Sequence, residues 1–222
     1  MKKFAVIVAG GAGTRMGGSI PKQFQLLRGK PVLWHSVRAF TDAYRDIHII
    51  LVLADIYTAR AEAIIREFPA WPFSLARSGE TRFHSVQNGL EQVEENSIVF
   101  VHDGVRCLVS PLLIRQCFEA AVQAGHAIPS VIATDTIRFQ MPEGNIPLNR
   151  NQVRIIQTPQ TFLSNELKKA YRQEYDPSFT DEASVLEKTG VKINLVEGES
   201  SNIKITLPID LLVAEKILQD RK

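Results

Sequence analysis

Residues 4–24 read FAVIVAGGAGTRMGGSIPKQF, and this stretch decides the fold. Its first six residues form an unbroken apolar run rich in β-branched side chains. A run without alternation predicts a central strand of a parallel sheet, buried on both faces. Gly10, Gly11, Gly13, Gly17 and Gly18 follow at once. Glycines there let the backbone turn tightly and bring its N–H groups close to a ligand. Arg15 and Lys22 stand in the same loop. A Gly-rich loop with two cations, leaving the carboxyl end of a first strand, is suited to hold a polyphosphate.

Two familiar phosphate loops are excluded. A Walker A loop requires Gly-Lys followed by Ser or Thr, which occurs nowhere in the chain. A dinucleotide fingerprint requires a third glycine at position 16, where Met16 stands, and an acid closing the second strand, whereas Asp42 falls within a helical pattern. The pattern present, AGG-x-G-x-RMG followed by PKQ, resembles the signature loop of nucleotidyltransferases that join an NTP to a phosphorylated sugar or polyol.

Working outward, 222 residues with 45% hydrophobic and 23% charged content suit one soluble α/β domain spanning 1–222. A net charge of +2 argues against a broad nucleic-acid or membrane surface. Cys107 and Cys117 form no C-x-x-C, so reduced thiols are expected. Met1-Lys2-Lys3 before FAVIVA imitates a signal peptide, but the apolar run is short and cut by glycines. No stretch reaches membrane-spanning length. A cytoplasmic location is the expectation.

The remaining patterns alternate. Pro31 opens a helix carrying Val32, Leu33, Val37 and Phe40; residues 47–53 form a second buried strand; Asp55 caps a helix to about Glu67. A short strand over 73–76 precedes SGET, with Thr81 as N-cap to a helix striped by Phe83, Val86, Leu90 and Val93. Residues 97–102 form a strand ended by Asp103, Ser110-Pro111 opens a helix to about Ala124, and 127–132 is strand again. This succession predicts a Rossmann-like, doubly wound, mostly parallel sheet with ligands beyond the carboxyl ends of its strands. The glycine loop, Asp103 and Thr134-Asp135-Thr136 fall at such ends. Residues 137–158 break the pattern and read as a protruding β-arm. Ser164 is expected to cap a helix to about Tyr175, Asp181 to begin one that Gly190 ends, and 191–196 and 203–206 to be late strands before a helix from Pro208.

Beyond the loop, the stretches SGETRFHSVQNGL, VHDGVR, ATDTIR, QTPQTF, TDEASVLEKTG and VEGESSNIKITLPIDL complete a resemblance to the bacterial 2-C-methyl-D-erythritol 4-phosphate cytidylyltransferases over nearly the whole chain. The resemblance implies a nucleotide-diphospho-sugar transferase type of fold. It implies transfer of CMP from CTP to the 4-phosphate of 2-C-methyl-D-erythritol in the non-mevalonate isoprenoid pathway. The attacking phosphate is already an anion, so positioning and charge neutralisation suffice. Residues 9–13 (Ala9, Gly10, Gly11, Ala12, Gly13) would wrap CTP, with Arg15, Lys22 and Lys204 catalytic. Gly79, Glu80 and Ser85 would contact cytosine and ribose, with Arg82 a further candidate in that loop. Asp103 would hold Mg²⁺ and, with Arg106, Thr136, Arg150 and Lys204, meet the acceptor. A homodimer through the arm is implied, with Thr136 and Arg150 reaching the neighbour's site. VHDGVRC departs from the commoner VHDAARP, and Ser201 stands where relatives often have Asp.

Two other readings remain. A ribitol 5-phosphate cytidylyltransferase would share the loop and CTP site, and a catalytically silent CTP-binding protein would share the fold. The five histidines show no metal-ligand spacing and read as structural, as Trp34 and Trp71 read as packing residues.

Overall fold

The computed structural model describes residues 1–11 and 20–221. The unbroken apolar runs have a direct physical reason. In β1 (Lys3–Val8), Ala5 and Ile7 join one core cluster while Phe4 and Val6 join another. After β2 (Leu26–Leu27), β3 (Lys30–Pro31) and α1 (Val32–Ala43), strand β4 (Ile47–Leu53) divides the same way, Ile49 and Leu51 against Ile50 and Val52. Each strand separates two hydrophobic layers, so both faces are apolar almost throughout; half-buried His48, near the start of β4, bonds the Ser74 hydroxyl at 2.8 Å.

The chain then forms α2 (Thr58–Ile65), β5 (Phe73–Arg77), α3 (Arg82–Leu90), β6 (Ile98–Asp103), α4 (Pro111–Ala124) and β7 (His126–Ile132). Hairpin strands β8 (Ile137–Met141) and β9 (Gly144–Leu148) follow. Next come β10 (Arg154–Ile156), β11 (Gln160–Leu163), α5 (Ser164–Ala170), α6 (Glu182–Glu187), β12 (Leu195–Glu197) and α7 (Pro208–Asp220). Helices α1, α2 and α4 pack on one face of the sheet, and α3, α5 and α6 on the other.

The sheet runs β7-β11-β6-β1-β4-β5, with β10 and β12 also paired to β7. Strands β6, β1, β4 and β5 are mutually parallel, and β11 is inserted antiparallel between β6 and β7. The chain goes from β1 outward through β4 and β5, then returns to β6 on the other side of β1. This reversal opens a crevice at the carboxyl end of β1.

Along β7, Gly125, Pro129 and Ala133 bond to Leu163, Gln157 and Val153, while Ile128 and Ser130 bond to Asn194 and Gly198. Alternate residues of a strand face opposite edges. Strands β10 and β11 therefore follow one another along one edge of β7, and β12 takes the other. Between them, residues 157–160 lie opposite only Ile128 and Pro129. The run bulges there, next to Asp103.

Thr81 accepts the His84 N–H at the start of α3, Ser110 accepts the Leu113 N–H at the start of α4, and Asp181 shares a capping box with Ser184 at α6. Three expectations fail locally. Asp55 caps no helix: it starts a 3₁₀ turn and pairs with Arg77 at 3.2 Å, and α2 ends at Ile65, closed by 3₁₀-type bonds from Glu67 and Phe68. Ser164 is buried and accepts the Ser97 N–H at 3.1 Å, so tertiary bonding takes its hydroxyl away from capping, and α5 stops at Ala170. Of the late strands only Leu195–Glu197 forms. Residues 203–206 have no sheet edge to join, and Ile205 N–H donates instead to the Val105 carbonyl at 2.9 Å.

Helix α3 lies unusually close to the sheet. A Cβ at Gly89 would stand 2.6 Å from Val6 Cγ1 and 3.0 Å from Val52 Cγ2. Alanine would gain about 1 kcal/mol of helix propensity, but overpacking costs about 1–3 kcal/mol. We therefore expect Gly89→Ala to lower the urea midpoint; an unchanged midpoint would show that α3 can move away from the sheet at no cost.

Candidate active site

The crevice at the end of β1 is a cavity of about 380 Å³. Ala9, Gly10 and Gly11 form its floor, Lys22 and Gln23 one wall, Ser78, Gly79 and Glu80 another, and Asp103 and Lys204 its far end. Backbone bonds close the strand ends together: Ala9 N–H to Val52, Gly104 N–H to Val8, and Ser78 N–H to Leu53. Two glycines are required by contact. A Cβ on Gly10 would lie 2.4 Å from Ser78 Cβ, and one on Gly79 would lie 2.4 Å from His84 Cβ. Among the described residues nothing would stand within 4 Å of a Cβ added at Gly11, which lines the cavity.

Buried Gln23 donates to the carbonyls of Ala9 (2.7 Å) and Gly11 (3.1 Å). It fastens the returning chain to the strand end and so holds Lys22 at the wall. Its presence in PKQ was visible in the sequence; its role was not, because an amide carries no periodic signal. Ser85 lines the cavity, but its hydroxyl accepts the Gly79 N–H (3.0 Å) and donates to the Thr81 carbonyl (2.9 Å). It shapes the loop that Gly79 and Glu80 present. Ala12, Gly13 and Arg15 lie outside the described residues.

Asp103 is the electrostatic centre. Lys204 Nζ stands 2.8 Å from Oδ2, Arg82 Nε 3.2 Å from Oδ1, and Arg106 Nε 3.8 Å from Oδ2. Burial alone would raise this carboxyl's pKa, but Arg82 and Lys204 outweigh it and hold the group well below the usual carboxylate range. Burial lowers the pKa of Arg106, which donates to the carbonyls of Asn202 (2.8 Å) and Ile156 (3.2 Å). For Arg82, burial opposes the charge, but Glu182 and Asp103 prevail and raise its pKa.

Beyond Asp103 lies a second cavity of about 200 Å³, lined by Arg82, Asp103, Arg106, Thr158, Gln160 and Lys204 among others. Arg82, Asp103 and Lys204 belong to both cavities. Thr158, in the bulge between β10 and β11, was missed as a site residue. Its Oγ1 accepts the Asp103 N–H (3.1 Å) and donates to His102 Nδ1 (3.0 Å). The ring's Nε2–H is then free to donate to the Arg106 carbonyl (3.2 Å). His102 is thereby fixed in one neutral tautomer, and burial pushes its pKa down to about 3. It is the structural histidine the sequence suggested.

Thr136 and Arg150 are not brought to either cavity. Both stand at the base of the β8–β9 hairpin, where Arg150 Nη1 donates to the Thr134 carbonyl at 2.8 Å. Gly104, one of the departures noted above, packs tightly: an added Cβ would meet Leu33 Cδ1 at 3.0 Å and Ala9 Cβ at 3.2 Å.

Residues 4–220 match the family described as 2-C-methyl-D-erythritol 4-phosphate cytidylyltransferase. The chain is 44% identical over 219 residues to the protein of that name from Phocaeicola vulgatus, covering 98% of this chain and 100% of the relative. The Bacteroides thetaiotaomicron protein of the same name is equally similar, at 44% over 219 residues with the same coverage. Among solved structures, a 4-diphosphocytidyl-2C-methyl-D-erythritol synthase from Anaerococcus prevotii superposes with a TM-score of 0.85 at 27% identity, covering 98% of both chains.

The His102 arrangement carries a pH signature. From its ordinary 6.5 down to about 3, the unfolded chain takes up a proton that the folded chain refuses. This stability is complete above pH 6.5 and is lost with acid, at about 1.4 kcal/mol per pH unit from this group alone. In denaturation series at several pH values, His102→Asn should show a slope lower by one proton over that interval. Equal slopes would mean that His102 titrates normally in the fold.

Proposed function

Since the chain belongs to the 2-C-methyl-D-erythritol 4-phosphate cytidylyltransferase family, we propose that its larger cavity takes CTP and the smaller one the acceptor phosphate. The reaction transfers CMP from CTP to 2-C-methyl-D-erythritol 4-phosphate. It yields 4-diphosphocytidyl-2-C-methyl-D-erythritol and pyrophosphate, in non-mevalonate isoprenoid biosynthesis. The observation that carries the assignment is the wall of Arg82, Asp103 and Lys204 common to the two cavities. A bond exchanged between two ligands must lie where their pockets meet.

In this reading an acceptor phosphate oxygen attacks the α-phosphorus of CTP. The new O–P bond forms as the bond to the bridging oxygen breaks, and pyrophosphate carries away the electron pair. The nucleophile needs no general base. Residues 9–13 and Arg15 cradle the triphosphate, Lys22 meets the α-phosphate, and the backbone at Gly79 and Glu80 reads the cytosine. Lys204 and Arg106 face the acceptor phosphate. Asp103 spaces these cations so that they do not repel one another out of the site.

Mg²⁺ would be held on Asp103 together with the phosphate oxygens of CTP, since this ion is commonly bound by one or two carboxylates plus substrate phosphates. Among the described residues no three or more His, Cys, Asp or Glu side chains gather to hold a metal. The Asp103 carboxylate already faces three cationic nitrogens.

The hairpin is proposed to clasp a second copy of the chain. Phe139, Met141, Ile146 and Leu148 are all exposed on it, and a two-stranded hairpin cannot bury such residues alone. Thr136 and Arg150 would then complete the partner's acceptor pocket, the planar guanidinium gripping the 4-phosphate. No helix among the described residues is long and apolar enough to cross a membrane, and the cytoplasm is the proposed place of action.

Pyrophosphate release should require CTP and methylerythritol phosphate together. Greater activity with ribitol 5-phosphate would shift the assignment to the rival acceptor. Lys22→Ala should lower kcat by about 100-fold, well beyond its effect on the KM for CTP; a change in KM alone would remove its transition-state role. Arg150→Ala and Lys22→Ala homodimers should each be nearly inactive and regain activity when their subunits are exchanged. With exchange verified, no recovery would place Arg150 outside the neighbouring site.

A further inference from the structure

Glu182 is a fully buried carboxylate, 0% exposed, that stands behind the wall between the two cavities. Oε1 pairs with Arg82 Nη1, Oε2 accepts from Nη2 at 3.1 Å, and the Tyr171 hydroxyl donates to Oε1 at 3.2 Å. At the other edge of the same guanidinium, Nε donates to Asp103 Oδ1 at 3.2 Å. Three of the five N–H groups of Arg82 are thus spent on two carboxylates placed on opposite sides. Tyr171 is itself fixed by stacking on Phe83, with ring centroids 4.6 Å apart. Glu182 is fixed at the first turn of α6, where Asp181 accepts the Ser184 N–H and Gln160 accepts the Ala183 N–H at 2.9 Å.

Such a pair is a poor device for stability alone. Desolvating two charges is expensive, and apolar side chains of similar volume would join α3 to α6 as well or better. What an ion pair supplies and a hydrophobic contact does not is an oriented, permanently charged plane. Arg82 keeps that plane partly exposed, with its side chain 29% accessible, at the one wall both cavities have in common.

We propose that Glu182, supported by Tyr171, is a positioning residue for the cytidylyl transfer. It holds the Arg82 guanidinium at the junction of the two cavities, where the acceptor phosphate and the α-phosphate of CTP are forced together. Without it, Arg82 would turn wholly onto Asp103 and neutralise the anion that keeps Lys204 and Arg106 in place. The inference rests on the cavity assignment above.

The test uses the full-length protein. Glu182→Gln keeps the shape and removes the charge, and should lower kcat by about 10–100-fold, the scale of a catalytic group displaced by about an ångström. The KM for CTP should stay within about threefold, because the guanidinium is assigned to the transition state rather than to bound CTP. Arg82→Ala should be nearly inactive and recover partly in added guanidinium chloride, relative to sodium chloride at equal ionic strength. Arg82→Ala/Glu182→Gln should not recover, since the carboxylate that would hold the free cation is gone. Thermal midpoints establish that each variant is folded. If Glu182→Gln does not fold, Tyr171→Phe serves, with an expected kcat loss of about threefold or more. Unchanged kcat in the folded charge variant, or equal rescue of the single and double variants, overturns the proposal. Full activity in Arg82→Ala overturns it as well, while leaving the cavity assignment to be judged by Lys22→Ala.

Discussion

A carboxylate stays ionised inside a protein when cations or hydrogen-bond donors are brought to it, and Asp103 has three cations around it, two of them from remote parts of the chain. Arg82 arrives on the first turn of α3, Arg106 on the loop after β6, and Lys204 on the extended segment before α7. Apolar contacts bring these elements in as well, α3 through Phe83 and Val86 against the sheet and the late segment through Ile205 against Val105. The charge balance adds to that packing a demand on which side chains must meet at the site. It also explains why the late segment remains extended without a ladder. One backbone bond to another element, from Ile205 to Val105, suffices because the buried Ile205 side chain and the Lys204–Asp103 pair anchor the segment as well.

The arrangement retains some unpaired polarity. Arg106 Nε and Asn202 Oδ1 are buried without a hydrogen-bond partner, both close to the second cavity. Orphaned buried groups are costly. Three further atoms of this kind, His126 Nδ1, Ser130 Oγ and Thr161 Oγ1, lie on β7 and β11, so the unpaired polarity is not confined to the proposed acceptor pocket.

Much of this was legible in the sequence, and for definable reasons. β1, β4 and β6 declared themselves because burial on both faces demands uninterrupted apolar residues. Thr81, Ser110 and Asp181 were recognisable as caps because capping is local chemistry. Asp55 and Ser164 carried the same signal and misled: Asp55 falls inside a 3₁₀ turn, with an exposed ion pair to Arg77, and the Ser164 hydroxyl is taken by Ser97, far away in sequence. The site was readable where motifs encode it: Gly10, Gly79, Asp103 and Lys204. It was not readable at Gln23, Thr158 and Glu182. Those side chains act through contacts with residues 14, 55 and 100 positions away, which no periodicity records.

The path of the chain along β7 gives the hairpin an unusual independence. Its two roots are pinned together, the Ala133 amide bonded to the Val153 carbonyl at 3.2 Å. Everything between those residues leaves the sheet and returns to it through one narrow neck. The continuation from Val153 through Ile156 then leads directly to the bulge that presents Thr158 to Asp103. Beyond Thr136 and Arg150 the appendage is consequently interchangeable in principle: insertions or deletions in the hairpin strands β8 and β9 can be accommodated without shifting the register of the strand below. A scaffold of this kind lets the surface that chooses a partner diverge quickly while the chemistry beneath it is held still.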